Sequence, residues 1–120
     1  MMPRMLIVED ERKIGDCLSD FFSRRGFAVK RAMTGQEAIR RVRYDPPDVI
    51  LLDIRLPDLE GIEVLKRAKE LHPRARVVMV TSLDYEEKRV EAEAYGACGY
   101  ITKPFDFSET TWAPVLSGEP

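Results

Sequence analysis

The stretch Val49–Gly61, VILLDIRLPDLEG, decides how this chain is read. Its first four residues, Val49–Leu52, are apolar without a break. A strand buried on both faces carries such a run, because neither face meets water. Asp53 follows at once, so a carboxylate stands where the strand leaves the sheet. Pro57 to Gly61 is turn chemistry. Glu63–Leu71 then changes to helical spacing, with Val64, Leu65 and Ala68 inward and His72-Pro73 closing the segment.

The same alternation extends in both directions. Upstream, Met5–Val8 is a short apolar strand, and Glu11 to Arg25 is a helix with Ile14, Leu18, Phe21 and Phe22 on one face, stopped by Gly26. Phe27–Arg31 is a less apolar strand, suited to a sheet edge. Thr34-Gly35-Gln36-Glu37 fits a capping box, with Thr34 capping the helix and Glu37 reaching back to it. That helix turns Ala38, Ile39 and Val42 inward and ends before Pro46-Pro47. Downstream, Val77–Val80 is a fourth strand. Asp84-Tyr85-Glu86-Glu87 offers a second cap for a polar helix ending near Gly96, and Gly99–Thr102 is a fifth strand. Strands alternating with helices over short loops predict a parallel sheet with right-handed crossovers and helices on both faces.

The 120 residues suit one domain, residues 1–120, with its core over 5–105. Apolar residues at 44% and charged residues at 33% are ordinary for a globular chain. The net charge of −2 supplies no general field for nucleic acid, so no direct nucleic-acid binding is expected of this domain. The run Met5–Val8 is too short for a leader or a membrane span, and the expected location is cytoplasmic. Cys17 and Cys98 are expected as buried, unpaired thiols. His72 reads as a surface cap, and Arg40, Arg41 and Arg43 as a solvated helix face.

In an open α/β sheet, ligands bind beyond the carboxyl ends of the strands, where strand order reverses. Glu9, Asp10 and Glu11 follow the first strand, Asp53 the third, Thr81-Ser82 the fourth and Lys103-Pro104 the fifth. If the first and third strands are neighbours, Glu9, Asp10 and Asp53 converge. Carboxylates that close repel one another and take up protons or a cation. Their hard oxygens suit Mg²⁺. A carboxylate beside a divalent cation and a Lys ammonium can attack phosphorus and form an acyl phosphate. Taken singly, each residue also has a plain reading: Asp10 or Asp53 as a loop carboxylate, Lys103 as a surface residue, Thr81 as a helix cap.

Four segments, LIVEDE (6–11), VILLDIRLPDLEG (49–61), VVMVTS (77–82) and GYITKPF (99–105), together resemble the receiver domains of two-component response regulators. The resemblance covers about Met5 to Phe105. It implies a doubly wound five-stranded parallel sheet of flavodoxin-like order 2-1-3-4-5. It further implies that Asp53 accepts a phosphoryl group from a sensor histidine kinase or phosphotransfer protein. Glu9, Asp10, Asp53 and the backbone carbonyl of Arg55 would hold Mg²⁺ or Mn²⁺. Lys103, Thr81 and Ser82 would bind phosphate, and Thr81 and Tyr100 would form the switch. A cis peptide before Pro104 would aim Lys103 into the site. Tyr100 also reads as a half-buried strand aromatic. The side chains of Arg55 and Leu83, two residues after Asp53 and Thr81, are expected to govern hydrolysis of the acyl phosphate.

The chain departs from the family after Phe105. In place of a long fifth helix stands FDFSETTWAPVLSGEP, and Pro114 forbids a continuous helix. Asp106 or Ser108 is expected to start at most about two turns before Ala113. Residues 106–120 are therefore expected to be atypical. They would leave part of the Leu18/Phe21/Phe22 face open unless Trp112, Val115 and Leu116, or a second chain, cover it. Self-association as a homodimer is an expectation on that ground. A haloacid-dehalogenase-type phosphatase is disfavoured because Asp53-Ile54-Arg55 lacks the second Asp. An FMN carrier is disfavoured because Glu9-Asp10-Glu11 would repel its phosphate. The remaining alternative is a receiver-like interaction module that is never phosphorylated.

Overall fold

A computed structural model of the protein describes residues 2–117. Strands and helices alternate as β1 (Arg4–Val8), α1 (Arg12–Arg24), β2 (Ala28–Ala32), α2 (Gly35–Tyr44), β3 (Val49–Leu52), α3 (Gly61–Leu71), β4 (Arg76–Thr81), α4 (Glu86–Ala94), β5 (Gly99–Thr102) and α5 (Ala113–Leu116). The strands form one parallel sheet of order β2-β1-β3-β4-β5. The expected fold class, with its shortened fifth helix, is the one observed. Order reverses between β1 and β3, and β3 lies at the centre, which is why all four of its residues are buried. β2 is an edge strand and is only partly buried.

Successive side chains of a strand point to opposite faces, and this sorts the core in two. Leu6, Val8, Ile50, Leu52, Val77 and Met79 pack with α2 and α3 on one face. Met5, Ile7, Val49, Leu51, Val78 and Val80 pack on the other with Leu18 and Phe22 of α1 and with Trp112 and Val115.

The helix starts differ in detail from expectation. Thr34 Oγ1 accepts the Glu37 N–H at 3.1 Å, as a capping Thr does. The Glu37 carboxylate, however, takes the Met33 N–H at 2.9 Å, one residue before the expected partner. At α4 the expected cap by Asp84 does not form; Tyr85 is the N-cap residue and makes no side-chain cap bond. Asp84 instead accepts from Arg89 at 3.4 Å.

Before Ala113 the C-terminal segment makes a hydrogen-bonded turn, the Trp112 N–H donating to the Ser108 carbonyl at 3.2 Å, within the expected limit of about two turns; the helix α5 begins at Ala113 instead, with Pro114 in its first turn, where a missing N–H costs nothing. Asp106 organises the approach: its carboxylate accepts the Ser108 N–H at 3.0 Å and the Thr111 hydroxyl at 2.7 Å. Its carbonyl accepts the Trp112 indole N–H at 2.7 Å. Trp112 is 0% exposed and meets Phe22 and Phe105 edge-on at 5.2 and 5.1 Å. Arg76 fastens the segment by donating to the carbonyls of Pro114 and Val115 at 3.2 and 3.3 Å. Of the two covers expected for the α1 face, its own C-terminal segment is the one observed: Trp112, Val115 and Leu116 pack there, with Leu18 and Phe22 buried and Phe21 half-buried against Phe107.

Cys17 and Cys98 are unpaired, but both are exposed rather than buried. Cys17 is exposed on α1, outside the buried stripe of Gly15, Leu18 and Phe22, so position on the helix overrides the thiol's usual preference for the interior. Among the described residues, no helix is long and apolar enough to cross a membrane.

Candidate functional site

The parallel register delivers the ends of β1, β3, β4 and β5 to one rim of the sheet. Val8 pairs with Leu52, so Glu9 and Asp53 leave the sheet side by side. Both backbones stay anchored there: Glu9 N–H donates to the Ala32 carbonyl at 3.0 Å, and Asp53 N–H to the Val8 carbonyl at 3.1 Å. Their side chains are held inward, with Glu9 3% and Asp53 4% exposed. Thr81, at the end of β4, is fully buried, whereas Asp10 and Ser82 are exposed.

Lys103 closes the site from β5. Its Nζ lies 2.7 Å from Glu9 Oε1, 2.9 Å from Asp53 Oδ2 and 3.1 Å from Glu11 Oε1. The Lys103-Pro104 peptide is cis. The other Asp53 oxygen, Oδ1, accepts the Arg55 N–H at 3.1 Å. The Arg55 side chain itself is exposed and pairs with neither Glu9 nor Asp53 among the described residues.

One oxygen from each of Glu9, Asp10 and Asp53 lies within 4.8 Å of the others, so the chain carries an acidic cluster able to hold a metal ion. Burial pushes the Glu9 carboxyl above its ordinary range; Lys103 and the Glu11 N–H pull it back only in part, and Asp53 adds to the rise. Burial also works against the charge on Lys103, but the carboxylates of Glu9 and Asp53 outweigh it and hold the ammonium protonated beyond the usual lysine range. One ammonium does not balance Glu9, Asp10, Glu11 and Asp53, and Asp10 has no hydrogen bond or ion pair among the described residues. Hard oxygen donors with surplus negative charge fit Mg²⁺.

The two candidate switch residues meet through a third. Thr81 Oγ1 is bonded not to Asp53 but to the Leu83 N–H, which donates to it at 3.3 Å. The half-buried Tyr100 donates its hydroxyl to the Leu83 carbonyl. Arg89 lies over the Tyr100 ring, 4.6 Å from its centroid. Burial raises the Tyr100 hydroxyl above its ordinary range despite Arg89.

Sequence reasoning missed how the loop after Asp53 is fixed. Asp58 accepts the Gly35 N–H at 2.7 Å and the Gln36 N–H at 2.9 Å, tying this loop to the start of α2. Although slight burial opposes it, those N–H groups hold the Asp58 carboxyl below the usual range. Glu60 accepts from Lys88 of α4 at 3.1 Å. Gly61 donates its N–H to the Ile54 carbonyl at 2.7 Å, and a Cβ there would lie 2.2 Å from the Asp53 carbonyl oxygen. Only that glycine carried a local signal, as the end of the turn.

The profile of the response regulator receiver domain family matches residues 5–113. The chain belongs to this family. It is therefore a receiver domain of two-component signalling, a signalling module rather than a conventional enzyme. It is 34% identical to sporulation initiation phosphotransferase F of Bacillus subtilis (strain 168), over 91% of this chain and 88% of that protein. It is 39% identical to the regulatory protein AtoC of Escherichia coli (strain K12), over 88% of this chain but only 23% of that protein. Among solved structures, the CheY-like receiver domain protein of Methanospirillum hungatei JF-1 is similar at 34% identity. Its TM-score is 0.85, and the match covers 88% of this chain and 85% of that one.

Proposed function

We propose that this receiver domain takes a phosphoryl group onto Asp53 from a histidine kinase or phosphotransfer protein and thereby controls an output domain or partner. The observation that carries the reading is the meeting of Asp53 Oδ2 with Lys103 Nζ at 2.9 Å inside the Glu9/Asp10/Asp53 cluster. Asp53 offers a carboxylate oxygen to phosphorus while its Oδ1 stays fixed by the Arg55 N–H. Lys103 supplies positive charge to the incoming phosphoryl oxygens. Glu9, Asp10, Asp53 and the Arg55 backbone carbonyl would hold Mg²⁺ or Mn²⁺, which when bound neutralises negative charge at the transferring group.

Thr81 and Ser82 then serve as hydroxyl donors to the phosphoryl group. A Thr81 hydroxyl drawn toward phosphate would leave the Leu83 N–H, and Leu83 also holds Tyr100. That route carries the change at Asp53 to the α4–β5 surface. The test is incubation with acetyl phosphate, with and without Mg²⁺, followed by intact mass. The expected result is a metal-dependent gain of one phosphoryl group that Asp53→Asn abolishes. No gain in the wild type would instead favour an interaction module that works unphosphorylated.

A further inference from the structure

An ammonium has three N–H groups, and three carboxylate oxygens from Glu9, Asp53 and Glu11 surround Lys103 Nζ within 3.1 Å. Asp53 and Glu11 each take an N–H of Lys103 in a hydrogen bond, at 2.9 and 3.1 Å, and Glu9 Oε1 packs against the ammonium at 2.7 Å, so a phosphoryl oxygen finds room at Nζ only when one of these contacts opens. The three are not equivalent. Glu9 is buried and doubly engaged, with Oε1 at Lys103 and Oε2 accepting the Glu11 N–H at 3.1 Å. Asp53 is the acceptor itself. The Glu11 side chain is 61% exposed and makes the longest contact of the three, so water replaces it at little cost. Glu9, by holding the Glu11 backbone, sets the Glu11 carboxylate over the ammonium.

From this geometry we infer that Glu11 is a positioning residue: it occupies one N–H of Lys103 in the resting site and is the group displaced when a phosphoryl oxygen arrives. The inference rests on Asp53 being the phospho-acceptor. In the step concerned, an Asp53 carboxylate oxygen bonds to phosphorus. The P–O bond of acetyl phosphate breaks, its electron pair leaving on acetate, and no proton is consumed. Glu11 opposes this step twice, by holding the donor that the phosphoryl oxygen needs and by repelling an anionic phosphodonor.

Glu11→Gln and Glu11→Ala are expected to be phosphorylated by acetyl phosphate with Mg²⁺ about two- to fivefold faster than wild type. Glu93→Gln, which removes an exposed carboxylate on α4, controls for net charge and is expected to match wild type. A second readout needs neither metal nor phosphate: ¹⁵N-edited NMR of the Lys103 ammonium, whose proton exchange with water should quicken in both Glu11 variants. A wild type that gains no mass overturns the acceptor reading and this inference with it. A phosphorylated wild type whose Glu11 variants are no faster than Glu93→Gln, or whose ammonium exchange is unchanged by them, overturns this inference alone.

Discussion

Thr81 and Tyr100 do not bond to each other, yet both are tied to the backbone of Leu83, Thr81 through its N–H at 3.3 Å and Tyr100 through its carbonyl. The Tyr100 hydroxyl thus braces the loop that leads from β4 to α4. Tyr100→Phe leaves the ring under Arg89 but strips the Leu83 carbonyl of its partner. A loss of about 1 kcal/mol in urea denaturation is expected, with faster amide exchange confined to the loop around Leu83. Unchanged exchange there would show that the hydroxyl does not brace the loop.

Gly61 is required by space rather than by backbone freedom. A Cβ at this position meets the Asp53 carbonyl oxygen at 2.2 Å and the Ile54 Cα at 2.6 Å, both backbone atoms that cannot swing aside. Gly61→Ala should cost about 1–3 kcal/mol of stability as overpacking. It should also slow acetyl phosphate labelling by displacing Asp53, the proposed acceptor. Thermal unfolding and intact mass check the two effects separately, and wild-type values in both would contradict the crowding.

The pH dependence of the metal-free protein follows from Glu9. Burial raises its carboxyl above the ordinary 4.5, so the folded state binds this proton more tightly than the unfolded chain. That contribution is present in full below pH 4.5 and is lost as pH rises through the raised value. Lys103 is shifted up from 10.5, so its contribution persists throughout this window and fades only in strong alkali. Asp58 and Asp106, both lowered from 3.8, lose theirs only as pH falls below that value. Urea titrations from pH 4.5 to neutrality should show stability falling in wild type and a flatter profile in Glu9→Gln. Parallel profiles would rule out Glu9 as the source.

Trp112 carries the coverage that a long fifth helix would otherwise provide. It is fully buried against Phe22 and Phe105. Trp112→Ala is expected to destabilise the domain by about 3–5 kcal/mol, and to expose the α1 face. Urea denaturation gives the first number, and light scattering reports whether the bared face now self-associates.

Much of this protein was legible in its sequence because the relevant signals are local. The unbroken apolar run of Val49–Leu52 announced a central strand, and the period of Leu18 and Phe22 announced the inner face of α1. Pro57 to Gly61 marked the turn after the candidate acceptor, and parallel pairing then required Glu9 and Asp53 to emerge together. Hydrophobic period and turn chemistry depend on neighbours in the chain, so one sequence suffices to read them. The family motifs added Lys103 and Tyr100, whose roles no local pattern states.

What the sequence could not decide were contacts between groups far apart in the chain. Glu11 reaches Lys103 across 92 residues, and Asp58 caps α2 across 23. Leu83 drew notice for its side chain and acts through its backbone. Trp112 fills the space over α1 from a segment with almost no helix of its own. Such contacts are set by where the loops and the C-terminal segment lie once the sheet has formed. A carboxylate or an indole finds its partner by distance, and only the tertiary structure fixes distance.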